Sequence, residues 1–76
     1  MRDLVEFLAR CLVDTPERVK THAFPREQAT VIELEVAQED LGKIIGRQGR
    51  TIRAVRAVVK AASVKLGKRV NVEVPG

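Results

Sequence analysis

Seventy-six residues, 45% apolar and 32% charged, suit one small folded domain and exclude a disordered or low-complexity chain. The single cysteine, Cys11, cannot close an internal disulfide, so the fold must rest on an apolar core, which favours a reducing compartment. The net charge of +4 is unevenly spread: residues 1–40 carry nine acidic and five basic side chains, whereas the 27 residues from Lys43 to Arg69 carry nine basic ones and no acid, marking a polyanion-binding face.

Apolar residues at Leu4, Val5, Leu8, Cys11 and Leu12 recur at helical spacing and predict a helix over residues 2–13, started by Asp3 and closed by Thr15-Pro16. Cys11 lies on that stripe and is expected in the core. Glu6 and Arg10 interrupt the stretch, so it is neither a signal peptide nor a membrane span, and a cytoplasmic chain is expected. Weak alternation from Arg18 to Phe24 predicts a strand, Pro25-Arg26-Glu27-Gln28 a turn, and Ala29 to Ala37 a second strand. In that second strand Ile32, Leu34 and Val36 should face inward, and Val31, Glu33 and Glu35 outward. The short connection predicts an antiparallel hairpin. A short helix follows from about Glu39 to Ile45, with Glu39 and Asp40 complementing its dipole. The longest helix, Arg50 to Leu66, has an apolar stripe at Ile52, Val55, Val59, Ala62 and Leu66, with Arg50, Arg53 and Lys60 off it. Gly67 is a helix stop, and Arg69 to Val74 alternates as a last strand. The order α-β-β-α-α-β predicts an α+β fold, a three-stranded sheet with three helices packed on one face.

The stretch Leu41-Gly42-Lys43-Ile44-Ile45-Gly46-Arg47-Gln48-Gly49-Arg50-Thr51-Ile52 organises the rest. Gly46 and Gly49 permit a tight backbone path and close approach of a ligand, and Arg47 and Arg50 put positive charge there. It is not a P-loop, because a helical segment precedes it and no Lys-Ser/Thr pair follows. Catalytic material is missing. His22 is the only histidine, on an alternating strand, with no second His or Cys to complete a metal site. Glu33 and Glu35 share an outer strand face and lack a perturbing cleft. An enzyme is not expected, and neither a cofactor nor a metal. What remains is a helix–loop–helix whose free backbone N–H groups and arginines suit a sugar–phosphate backbone.

The run Ile44-Ile45-Gly46-Arg47-Gln48-Gly49-Arg50-Thr51-Ile52 resembles the I-I-G-x-x-G-x-x-I signature of KH domains, whose G-x-x-G loop clamps about four nucleotides' backbone. The α-β unit preceding a β-α-α-β core resembles the type II arrangement. Over the whole chain, from Leu4-Val5-Glu6-Phe7-Leu8 to Val70-Asn71-Val72-Glu73-Val74, the sequence is similar to the KhpA family of small bacterial RNA-binding proteins. The resemblance implies a single KH domain over residues 1–76, with an N-terminal extension over about residues 1–25 and a core over about 29–74.

It further implies single-stranded RNA as ligand and a role as RNA chaperone or post-transcriptional regulator. The implied partners are a second copy of the chain or a larger KhpB-like multidomain RNA-binding protein. Gly46 and Gly49 would approach the phosphates, Arg47 and Gln48 project from the tip, and Lys43 and Arg50 flank it, with Arg53 on the basic helix front. Ile44 and Ile45 read as core, one of them shared with the floor on which bases lie. Val31 to Leu34 is expected to border the groove. Only Phe7 and Phe24 are aromatic, which disfavours the stacking platforms of RRM and OB modules. An alternative stays open: a protein-interaction module that dimerises or docks on a larger partner with little RNA binding of its own.

Overall fold

A computed structural model describes residues 1–75. Helix α1 spans Arg2–Leu12, strand β1 Lys20–Arg26 and strand β2 Ala29–Glu35. Helix α2 is short, Leu41–Ile45; helix α3 is Arg50–Lys65 and strand β3 is Val70–Glu73. The sheet order is β1-β2-β3, with β1 antiparallel and β3 parallel to β2. Buried side chains from all three helices, Val5 and Ala9, Ile44, and Ile52, Val55 and Val59, meet Ile32, Leu34 and Val72 in one core. Alternation puts Ile32, Leu34 and Val72 on one face of the sheet, so the helices cover that face and leave the other open. This is the expected α+β, KH-like arrangement.

Several local expectations are corrected by packing. Strand β1 begins two residues later, because Pro16–Arg18 forms a 3-10 turn, and it runs on through Pro25 to Arg26. As an edge strand it tolerates proline where no ladder bond is required. Arg26 pairs with Ala29, so the hairpin turn is only Glu27-Gln28, with Glu27 at φ 55°. Strand β2 stops at Glu35, and Ala37, beyond it, is buried. Val31, expected on the solvent side, is only 4% exposed, since it sits mid-sheet in a row between Phe24 and Asn71. Strand β3 is shorter than Arg69 to Val74.

On α1 the buried centre is Val5 and Ala9; Cys11 falls at the rim of an apolar arc wider than the core can cover, and it is exposed. On α3 the stripe ends at Ser63, not Ala62. The Ser63 hydroxyl donates to the Val59 carbonyl at 2.6 Å, which makes its burial tolerable. Leu66 is exposed because the helix has already closed. Lys68 N–H donates to Ser63 O at 2.8 Å and Gly67 N–H to Val64 O at 3.0 Å, with Gly67 at φ 69°, a Schellman stop.

The helix predicted from Glu39 splits into a 3-10 turn, Gln38–Asp40, and α2 proper. Asp40 does not face solvent at a helix start; its carboxylate is turned inward and is 1% exposed.

Candidate functional site

The loop between α2 and α3 is built by backbone conformations that favour glycine. Gly46 has φ 75° and ψ 171°, and a Cβ there would lie 2.6 Å from Thr51 Cβ and 2.7 Å from Thr51 N. Glycine is therefore required twice over at this position, for conformation and for space. Gly49 is left-handed (φ 75°, ψ 15°), yet a Cβ would meet nothing within 4 Å, so only its conformation favours glycine. Gln48 shares the left-handed region at φ 57°, ψ 26°, which is unusual for a side-chain-bearing residue. Gly46 N–H donates to Gly42 O at 2.8 Å and Gly49 N–H to Gly46 O at 3.1 Å, so the loop is a closed turn with Arg47 and Gln48 exposed. No side chain caps the start of α3, so its first N–H groups remain oriented toward the loop.

Arg50, Arg53, Arg56 and Lys60 fall on one flank of α3 by helical spacing, and all are exposed. That flank faces the open edge of β3, where Arg56 Nε donates to Val72 O at 3.1 Å. A groove of about 870 Å³ lies there, between the second half of α3, β3 and the hairpin end. Five cationic side chains line it, Arg26, Arg56, Lys60, Lys68 and Arg69, against two acidic ones, Glu27 and Glu73. The basic character thus runs from the loop along α3 into a concavity.

The expected site residues divide. Gly46, Arg47, Gln48, Gly49, Arg50 and Arg53 lie together at the loop and the start of the basic flank. Ile45 is half-buried beside them, whereas Ile44 is wholly in the core. Of the stretch Val31 to Leu34, expected to border the groove, only Val31 does so: β2 is the central strand, hydrogen-bonded on both edges, and lines the groove with Ala29 and Val31 alone. The open backbone edge beside the groove belongs to β3. Arg56 was legible as Arg53 plus three on the same helix face. Arg26 was not, since only the strand order brings the hairpin end beside β3.

Lys43 is differently engaged. Its ammonium pairs with the Asp14 carboxylate and lies 3.6 Å from Asp40 Oδ1. Burial alone would push the Asp40 carboxyl up, but the Asp14 and Thr15 backbone N–H groups, and then Lys43, hold it below its ordinary value. The hydrogen bond that Lys43 donates to the Asp14 carboxylate raises its ammonium above the ordinary value, against desolvation, and the charges of both carboxylates add to the rise.

Among the described residues no group of three or more His, Cys, Asp or Glu side chains could hold a metal, and no helix is long and apolar enough to cross a membrane.

Known proteins resemble the chain over nearly its whole length. The chain is 50% identical to RNA-binding protein KhpA of Clostridium acetobutylicum, over 97% of its own length and 99% of the relative's. It is 43% identical to RNA-binding protein KhpA of Aquifex aeolicus, over 97% of this chain and 94% of that one. Among solved structures, Era from Aquifex aeolicus bound to GDP and aluminium tetrafluoride superposes with a TM-score of 0.61 at 25% identity. The match covers 96% of this chain but only 28% of Era, a likeness of fold. A profile described as KhpA/KhpB, KH domain, matches residues 2–74, and the chain belongs to that family.

Proposed function

We propose that the chain binds single-stranded RNA, clamping the sugar–phosphate backbone at Gly46-Arg47-Gln48-Gly49 and leading the strand along the basic flank of α3. It acts by binding rather than catalysis, as befits a chain whose relatives are named RNA-binding protein KhpA. The observation that carries this reading is the position of the loop: a glycine turn with open space over Gly49 opens a segment, Gly46 to Arg69, with eight cations and no acid. Arg47, Arg50 and Arg53 supply mobile charge, backbone N–H groups of the first α3 turn supply fixed donors, and Ile45 offers an apolar floor. A module of this size binds weakly alone, so a chaperone or post-transcriptional role in the cytoplasm would gain avidity from a second copy or a larger KhpB-like partner.

The test is replacement of both tip residues by aspartate, Arg47→Asp with Gln48→Asp. Asp tolerates the left-handed conformation at position 48, so the circular dichroism spectrum and unfolding midpoint should stay near wild type while RNA binding is lost. In wild type, neutralising about three phosphates gives a slope of log affinity against log salt of about −2. Undiminished RNA affinity in the doubly substituted chain overturns the reading.

A second reading, a protein-interaction module, is favoured by one observation. Beyond its basic flank, α3 exposes Ala54, Val58 and Ala61, with Val58 48% exposed. Native mass spectrometry of the chain purified with and without nuclease separates the two: co-purifying RNA supports the clamp, while a stoichiometric dimer or heteromer without RNA supports the module.

A further inference from the structure

We propose that Asp40 is a positioning residue for the Gly46–Gly49 loop, acting through Lys43 and the Asp14-Thr15 backbone without touching a ligand. The consequence for RNA rests on the clamp reading above; the consequence for loop order does not.

Asp40 is 1% exposed, and a buried carboxylate is costly unless hydrogen-bonded or paired. Its two oxygens take the Asp14 N–H at 3.3 Å and the Thr15 N–H at 3.0 Å. Lys43 Nζ, 3.6 Å from Oδ1, also pairs with the Asp14 carboxylate, closing a three-residue cluster. The partners are 25 or more positions apart in sequence, so the cluster fastens the connection after α1 to the first turn of α2.

Helix α2 needs such a fastening. Five residues are too few to hold a helix by themselves, and its one wholly buried side chain, Ile44, leaves the first turn without an apolar anchor. Asp40 supplies a directional anchor there instead. From that turn to the loop is a distance of two hydrogen bonds: Gly42 O accepts from Gly46 N–H, and Gly46 O accepts from Gly49 N–H, the residue that opens α3. A displaced first turn therefore carries Gly42, and with it the entry to the loop. A buried charge with fixed donors specifies one geometry where an apolar residue would tolerate several. Lys43 has its charge already engaged by two carboxylates, which makes it a member of this latch and removes it from the set of phosphate contacts.

The test compares wild type with Asp40→Asn, Lys43→Met and Lys43→Arg at a temperature where circular dichroism shows each chain folded. Two quantities are read: amide hydrogen exchange in the RNA-free chain, and affinity for a fluorescein-labelled single-stranded RNA of randomised sequence over a salt series. The latch predicts that exchange of the Gly46 to Gly49 amides accelerates about tenfold in Asp40→Asn and Lys43→Met while the β2 amides stay protected. RNA binding should weaken about three- to tenfold with the salt slope unchanged, and Lys43→Arg should restore wild-type behaviour. The Asp40→Asn result has a diagnostic sign, since deleting a negative charge from a polyanion-binding protein should otherwise tighten the complex. Wild-type exchange at the loop in both variants overturns the proposal, as does tighter RNA binding by Asp40→Asn. A slope shallower by about 0.7 in Lys43→Met also overturns it, because Lys43 would then be a phosphate contact. If Asp40→Asn does not fold, the two Lys43 variants decide. If wild type itself binds no RNA, the clamp reading fails and the exchange data alone decide the role of Asp40.

Discussion

The two sides of the Gly46–Gly49 loop are held by different physics. On the α3 side, sixteen residues bury Ile52, Val55, Val59 and Ser63 and close with a Schellman stop. The side-chain hydrogen bond from that helix to another element is Arg56 to Val72 O; the Ser63 hydroxyl bonds within the helix itself. On the α2 side, five residues bury a single side chain fully, Ile44, with Ile45 half-buried against the core, and the first turn is held by the Asp40 cluster. Apolar burial is non-directional and fixes position only through many contacts, whereas a buried carboxylate on two backbone donors fixes direction with few atoms. A short helix that must present a tight turn at a set angle therefore uses charge where a long one uses area.

This contrast can be broken most severely at Ile44. Truncation by Ile44→Ala should cost about 2–5 kcal/mol, a large share of the roughly 4–11 kcal/mol available to a chain of this size. Urea unfolding should show a much lower midpoint. An effect below about 1 kcal/mol would mean that the Asp40 cluster alone holds α2. The next effect sharpens the contrast within the loop itself. Gly46→Ala combines a positive φ with overlap on Thr51 and should cost about 2–4 kcal/mol. Gly49→Ala meets open space and should cost only about 1–2 kcal/mol, the left-handed penalty. Equal losses in urea unfolding would contradict the tight approach of Gly46 to Thr51.

These differences also account for what the sequence makes legible. The loop is local: two glycines, two arginines and flanking isoleucines lie within nine positions, so its place between helices and its charge follow from spacing alone. The hydrophobic periodicity of α3 likewise announces its buried face as far as Val59. The Asp40 cluster has no such signature. An acid after Glu39 at the start of a helical segment reads as a dipole complement, and only the tertiary approach of Asp14 and Thr15 turns it inward. The same reason hid the edge position of β3, since strand order is not written in strand periodicity and β2 looked equally able to border a groove. Cys11 failed differently: an apolar arc that is too wide for the available core must leave part of itself outside, and periodicity cannot say which part.

The smallest expected effect near neutrality is that of pH, and its sign follows from the two latch residues. Asp40 is held below its ordinary value of 3.8, so its contribution is present above that value and is lost as pH falls through the lower folded value. Lys43 is raised above 10.5, so its contribution is fully present below 10.5 and disappears as pH rises through the raised folded value. Between about pH 5 and pH 9 the latch should add no pH dependence at all. Other carboxylates also titrate in acid, so wild type alone cannot isolate the effect; the informative quantity is the difference in urea midpoint between wild type and Asp40→Asn. That difference should be constant through the neutral range and shrink in acid, where protonation of Asp40 makes wild type resemble the variant. A difference that instead grows as pH falls would mean that the Asp40 carboxyl is held neutral by its burial, and that the two backbone donors do not outweigh desolvation.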